Sequence, residues 1–199
     1  MIEVEIKVAV KNCSLLEEKL VQAGFSRGDL VKETDYYFDS EFNRIRENDM
    51  ALRIRSCENL TKHVSEHFMT YKGPKMDTVS MTREELEMTI EEAEIGKKIL
   101  EALGYVPVSP VVKCRQHFCR EPITACFDQV EGLGDFLELE IVVSTEDERE
   151  MALQEIYMLL CELEYESCDV INTSYLSMLQ NKQTIDLNLE ETEYDIERY

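Results

Sequence analysis

The sequence predicts an α+β protein whose centre is an eight-stranded antiparallel β-barrel or tunnel with helices packed outside. Three observations lead there. Segments alternating polar and apolar residues recur along the chain, with the side-chain period of two that marks a β-strand. Segments with apolar residues at helical spacing lie between them. Many strand segments carry charge on their polar face, and the charges are of both signs.

The elements follow in order. "IEVEIKVAV" opens the chain as a strictly alternating strand, with Glu3, Glu5 and Lys7 on one face. "NCSLLEEKLVQAG" reads as a helix running from an Asn or Ser cap to Gly24. "LVKETDYYFD" and "MALRIRSC" are strands rich in β-formers, and "HFMTYKG" and "REELEMTI" form the next pair. "TIEEAEIGKKILEALG" is a helix ending at Gly104, with Ile95, Ile99 and Leu103 repeating every four residues as its apolar stripe. "VVKCRQHFC", "ITACFDQV" and "DFLELEIVV" complete about eight strands. Gly and Pro mark turns at "KGPK" and "EGLGD". "STEDEREMALQEIYMLLCELEY" carries acids in its first turn and an apolar stripe of Met151, Ile156, Leu159, Leu160 and Leu163. A short helix at "TSYLSML" follows. The expected organisation is one domain over residues 1–180 and an acidic C-terminal tail over 181–199.

Composition narrows the function. The chain has 199 residues and a net charge of −21, from 42 acidic and 21 basic residues. An acidic field excludes a general nucleic-acid or anionic-membrane binder, though not a local basic pocket. No apolar run approaches the roughly 20 residues of a membrane helix, and the charged N-terminus is unlike a signal peptide. The seven cysteines form no C-x-x-C pair, which suits free thiols in a reducing compartment. The expectation is a soluble, cytoplasmic protein. His63, His67 and His117 lack spaced metal-ligand partners and read as surface or loop residues.

The charged faces carry the chemistry. Arg53 and Arg55, Lys113 and Arg115, and Glu138 and Glu140 are spaced by two. Arg83, Glu85 and Glu87 share a face, as do Asp35, Tyr37 and Asp39, and Lys72 stands at a strand end. A closed barrel with an apolar outside and a polar lumen accounts for them together. An open sheet with salt-bridged strands facing water is the competing account. In a lumen, the six cations Lys7, Arg53, Arg55, Lys72, Lys113 and Arg115 would repel one another unless an anion neutralised them, and they suit phosphate oxygens. Clustered carboxylates at Glu3, Glu5, Glu85, Glu87, Glu138 and Glu140 call for Mg²⁺ or Mn²⁺. The two sets together suggest a polyphosphate-bearing substrate.

Glu3-x-Glu5-x-Lys7 resembles the ExExK signature of the CYTH family, the triphosphate tunnel metalloenzymes. "TDYYFD", "ALRIR", "TYKGP", "TREELE", "VKCR", "FDQVEGLGDFLELE" and "TSYLSML" follow in the family's order across residues 1–180. The resemblance implies an eight-stranded tunnel. It implies that Lys7, Arg53, Arg55, Lys72, Lys113 and Arg115 bind the triphosphate. It also implies that Glu3, Glu5, Glu138 and Glu140 hold a catalytic Mg²⁺ or Mn²⁺, with Asp128, Glu85 and Glu87 assisting at a second ion. Tyr37 is placed near Lys7, and Lys7, Tyr37 and Asp128 form the implied catalytic group. The length and the "YF…ALRIR…TYKGP" run look most like class IV adenylyl cyclases, which convert ATP to cyclic AMP and pyrophosphate. Inorganic and thiamine triphosphatases are the alternative branch, although animal thiamine triphosphatases are tryptophan-rich and this chain has no Trp. A non-catalytic triphosphate or polyphosphate binder is a further alternative. A homodimer is compatible with apolar strand or helix faces.

Overall fold

The computed structural model describes residues 1–184. Eight long strands are β1 (Ile2–Ala9), β2 (Ser26–Asp39), β3 (Ala51–Asn59), β4 (Val64–Lys72), β5 (Arg83–Ile90), β7 (Val111–Arg120), β8 (Ile123–Val130) and β9 (Gly134–Val143), and β6 (Val106–Pro107) is a two-residue strand on β2. The order β3-β4-β5-β1-β9-β8-β7-β2 closes because β2 also pairs with β3. Every pairing is antiparallel. The sheet is therefore a barrel, and the open-sheet account falls. The weakest seam is β1–β5, limited to Ile2↔Glu84 and Glu3↔Arg83.

Closure sorts the two faces of each strand. Val4, Ile6 and Val8 of β1 and Leu137, Leu139 and Ile141 of β9 point outward into the main core, where α1 (Cys13–Gln22) and α3 (Glu146–Glu162) cover them. Leu16 and Leu20 of α1 and Ile156, Leu159 and Leu160 of α3 are buried there. Each such side chain contributes about 1.5–3 kcal/mol relative to exposure. The helix ends are specified locally. Asn12 caps α1 by accepting from the Leu15 amide at 3.1 Å. Glu148 reaches back from the first turn of α3 to the Ser144 and Thr145 amides at 3.0 and 3.1 Å. Met151, expected on the buried stripe of α3, is exposed.

The second helix, α2 (Ala93–Ala102), corrects the sequence expectation. Ile95, Ile99 and Leu103 are exposed, and Ala93, Gly96 and Leu100 face the barrel. Distance of approach explains this. A Cβ at Gly96 would stand 2.8 Å from Ile54 Cδ1 and 3.0 Å from Ile90 Cδ1. Small residues let the helix settle onto β3, and the bulky stripe is left outside.

A fourth helix, α4, covers residues 175–184. The chain reaches it by crossing β1, where Val170 bridges Val8 and the Ile171 amide donates to the Lys7 carbonyl at 2.8 Å. The expected domain boundary at 180 falls inside α4, and residues 185–199 of the expected tail lie outside the described residues. Among the described residues no helix is long and apolar enough to cross a membrane. All seven cysteines are free.

Candidate active site

The inward faces of the strands line a cavity of about 320 Å³. Register decides which charges meet. Asp35 of β2 lies opposite Arg55 of β3, and Arg115 of β7 lies opposite Asp128 of β8. Glu5 and Lys7 of β1 face Glu140 and Glu138 of β9, and Lys72 of β4 faces Glu85 of β5. All six cations expected from the sequence line this cavity, as do Glu3, Glu5, Glu85, Glu87, Glu138, Glu140 and Tyr37.

Cations and carboxylates alternate in the lumen, so the six positive charges do not await a ligand to offset them. Asp35 is the first fixed point. It accepts from Arg55 Nε and Nη2 at 2.6 and 2.8 Å and from Arg53 Nη1 at 3.2 Å. Asp128 is the second, accepting from Lys113 Nζ at 2.9 Å and from Arg115 Nε and Nη2 at 2.6 and 2.7 Å. It is fully buried beneath those cations and stands apart from the carboxylate cluster described below. Glu33 joins the two groups, 3.0 Å from Arg55 and 3.3 Å from Lys113. Glu138 pairs with Arg115 and with Lys7 at 3.2 Å. Lys72 lies 3.1 Å from Glu3 and bonds Glu85. Glu87 accepts from Thr70 Oγ1 at 2.8 Å. Fork-shaped pairs of this kind hold guanidinium groups in one orientation.

Glu3, Glu5 and Glu140 also meet one another, each with an oxygen within 4.8 Å of the others, while Glu140 lies 3.5 Å from Arg115 and Glu5 3.8 Å from Lys7. Burial, with Glu138 beside it, raises the Glu5 pKa to about 8. Burial and Glu3 raise Glu140 to about 7, and burial raises Glu85 to about 7 despite Lys72. Burial opposes ionisation of Glu3 as well, yet Lys72 draws it down to about 2. Burial also opposes ionisation of Glu138, but Lys7, Lys113 and Arg115 hold it well below the usual range. Three hard oxygen donors side by side, of which Glu5 and Glu140 resist ionising next to the ionised Glu3, fit a divalent cation of the Mg²⁺ or Mn²⁺ type.

Four residues of the site have roles that the sequence does not assign. Tyr175 of α4 is an aromatic in contact with Lys7. Its ring centroid is 4.2 Å from Lys7 Nζ and 5.3 Å from Lys113 Nζ, and its hydroxyl donates to Asp128 at 3.0 Å. Tyr37 lines the cavity and packs in the Tyr175 cluster. Glu33 and Asp35 anchor the arginines, and the face that carries Asp35, Tyr37 and Asp39 extends back to Glu33 by the same period of two. Arg83 donates to the Asp49 and Gly73 carbonyls and to Asp49 Oδ1, clamping two loops at the cavity mouth.

A closed barrel with buried cations on several strands and a carboxylate trio beside them defines a β-tunnel with a lumen of mixed charge. The chain belongs to the CYTH family: the CYTH domain model matches residues 1–175. It is 40% identical, over 89% of its length and 98% of the relative's, to a Methanocaldococcus jannaschii protein provisionally named as an adenylate cyclase. A Pyrococcus horikoshii protein of solved structure is 34% identical with a TM-score of 0.82, covering 90% of this chain and 99% of that one. A Hippeastrum protein described as a provisional adenylyl cyclase with a dominant triphosphatase activity shares the fold at 20% identity and a TM-score of 0.62, covering 90% and 96%.

Proposed function

We propose that the protein is a divalent-metal-dependent enzyme that converts ATP to cyclic AMP and pyrophosphate inside the tunnel. The observation that carries this reading is the carboxylate trio Glu3, Glu5 and Glu140 in the same lumen as Arg53, Arg55, Lys72, Lys113 and Arg115. A pure anion binder needs the cations and not the trio.

In this reading Glu3, Glu5 and Glu140 hold the Mg²⁺ or Mn²⁺, which neutralises phosphate charge when bound. Arg53, Arg55, Lys72, Lys113, Arg115 and Lys7 bind the triphosphate oxygens and stabilise the charge that grows on the leaving pyrophosphate. Asp35 and Asp128 hold those cations in place, so Asp128 positions cations here and is not a metal ligand. The ribose 3′-oxygen forms a bond to the α-phosphorus as the bond to the bridging oxygen breaks, and the 3′-hydroxyl proton leaves to a basic group. The fixed forks keep attacking and leaving oxygens in line. The free thiols and the absence of a membrane helix among the described residues suit a cytoplasmic enzyme.

A triphosphatase is the second reading, favoured by the activity described for the Hippeastrum relative. The same lining would serve a water attacking the terminal phosphorus. Incubation with ATP, thiamine triphosphate and inorganic triphosphate in turn, each with Mg²⁺, with Mn²⁺ and with EDTA as control, separates the two by product. Cyclic AMP with pyrophosphate supports the cyclase. Orthophosphate with no cyclic product replaces it with the triphosphatase, and no product with either metal removes both.

A further inference from the structure

The barrel closes unevenly at β5. This strand pairs with β4 over residues 85–90, but with β1 only at Ile2↔Glu84 and Glu3↔Arg83. The Glu84 carbonyl accepts from the amide of Gly73, just past β4, and the Glu85 amide donates to the Met1 carbonyl on the opposite side at 3.0 Å. Backbone groups alternate sides along a strand. Those of Leu86, Met88 and Ile90 therefore face β4, and those of Glu87 and Thr89 face the β1 side. Among the described residues no backbone group pairs with Glu87 or Thr89 there.

The second half of β5 is thus an open edge, and an open edge is a template for another strand. The side chains beside it suit the same use. Glu85 and Glu87 line the cavity, so Leu86 and Met88 point away from it. They are 59% and 60% exposed. Helix α2 sits on β3 and β4, and α3 sits on β1 and β9, which leaves this part of β5 bare.

The edge is also complementary to itself. Two copies related by a two-fold axis bring it together antiparallel, as in every other pairing of this sheet. With the axis at Met88, Leu86 faces the partner's Ile90, Met88 faces the partner's Met88 and Glu87 faces the partner's Thr89. The orphaned backbone groups of Glu87 and Thr89 then meet as hydrogen-bonded pairs on both sides of the axis. An axis one residue earlier sets Glu87 against the partner's Glu87, and one residue later against the partner's Glu91. Like charges directly opposite disfavour both.

We propose that residues 86–90 of β5 form a docking surface for a second copy of this chain, joined by antiparallel β5–β5 pairing centred on Met88. Leu86, Met88 and Ile90 do not line the cavity, so substitution at Met88 leaves the lumen side chains in place.

Sedimentation equilibrium on the full chain tests it, comparing wild type with Met88→Glu and Met88→Lys, with circular dichroism to confirm that each variant folds. The wild type should be a dimer. The axis sets position 88 against itself, so either variant alone puts like charges face to face and should weaken the dimer by about tenfold or more. An equimolar mixture of the two variants should form a mixed dimer again. A monomeric wild type overturns the proposal, whether the edge stays bare or another segment of the chain covers it. So does a dimer indifferent to both variants, and so does a mixture that stays monomeric.

Discussion

Tyr175 donates its hydroxyl to Asp128 at 3.0 Å while its ring centroid lies 4.2 Å from Lys7 Nζ. One side chain from the last described helix thus touches both the anchor of the Lys113–Arg115 pair and the ammonium of the opening strand. Cation–π contact and a charge-assisted hydrogen bond converge on it. Tyr175→Phe should keep the ring contacts and lose only the bond to Asp128, at a cost of about 1–3 kcal/mol. Tyr175→Leu should lose both and weaken triphosphate binding more. Urea unfolding and the KM for the triphosphate measure the two losses separately, and equal KM values in both variants would remove the ring from the binding account.

Asp35→Asn tests the claim that carboxylates position the arginines. The side chain keeps its size and loses the charge between Arg53 and Arg55. Breaking a buried pair this way costs about 3–5 kcal/mol, so the urea midpoint should fall sharply. Added tripolyphosphate with Mn²⁺ should restore part of that loss by supplying the missing negative charge. No stabilisation by tripolyphosphate would argue that these arginines do not meet phosphate.

The raised carboxyl pKa values, about 8 for Glu5 and about 7 for Glu140 and Glu85, set a pH dependence. The folded state holds these protons more tightly than the unfolded chain does. Their contribution to stability is therefore present below the unfolded pKa of about 4.3 and is lost as pH rises through about 7 to 8. In EDTA the Tm should fall between about pH 5 and pH 8. Mn²⁺ should replace the lost protons and flatten the curve at its alkaline end. Glu5→Gln should flatten it without metal, and an unchanged slope in that variant would contradict the assignment.

Helix α2 gives a contrast in stability. Leu100 is buried and Ile99 beside it is exposed. Leu100→Ala should cost about 2–5 kcal/mol, while Ile99→Lys should stay within about 0.5 kcal/mol of wild type. Denaturant titration of the two variants reads both numbers, and the reverse order would mean that α2 packs by the other face.

The barrel was legible because its strands alternate so regularly. "IEVEIK" places Glu3, Glu5 and Lys7 on one face, and the lumen holds all three. What alternation could not give was which charges meet, because that depends on register. Asp35 opposite Arg55 and Arg115 opposite Asp128 are facts of pairing between distant segments. From alternation alone the six cations look unpaired, whereas the fold pairs them with carboxylates. Tyr175 was hidden for a related reason, since it enters the lumen from a helix that follows the barrel. On α2 the spacing of Ile95, Ile99 and Leu103 was helical, but Gly96 decided the buried face through closeness of approach.

The central claim is that this lumen takes a triphosphate and a divalent cation together. Calorimetric titration of tripolyphosphate into the wild type, once with Mn²⁺ and once with EDTA, tests it most directly. Lumen carboxylates already occupy the cations, so binding should be tight with Mn²⁺ and at least about tenfold weaker in EDTA. The Glu3→Gln, Glu140→Gln double variant should abolish the difference. Equal affinity with and without metal would make the tunnel an anion binder with no use for its carboxylate trio, and absence of binding in both would contradict the account as a whole.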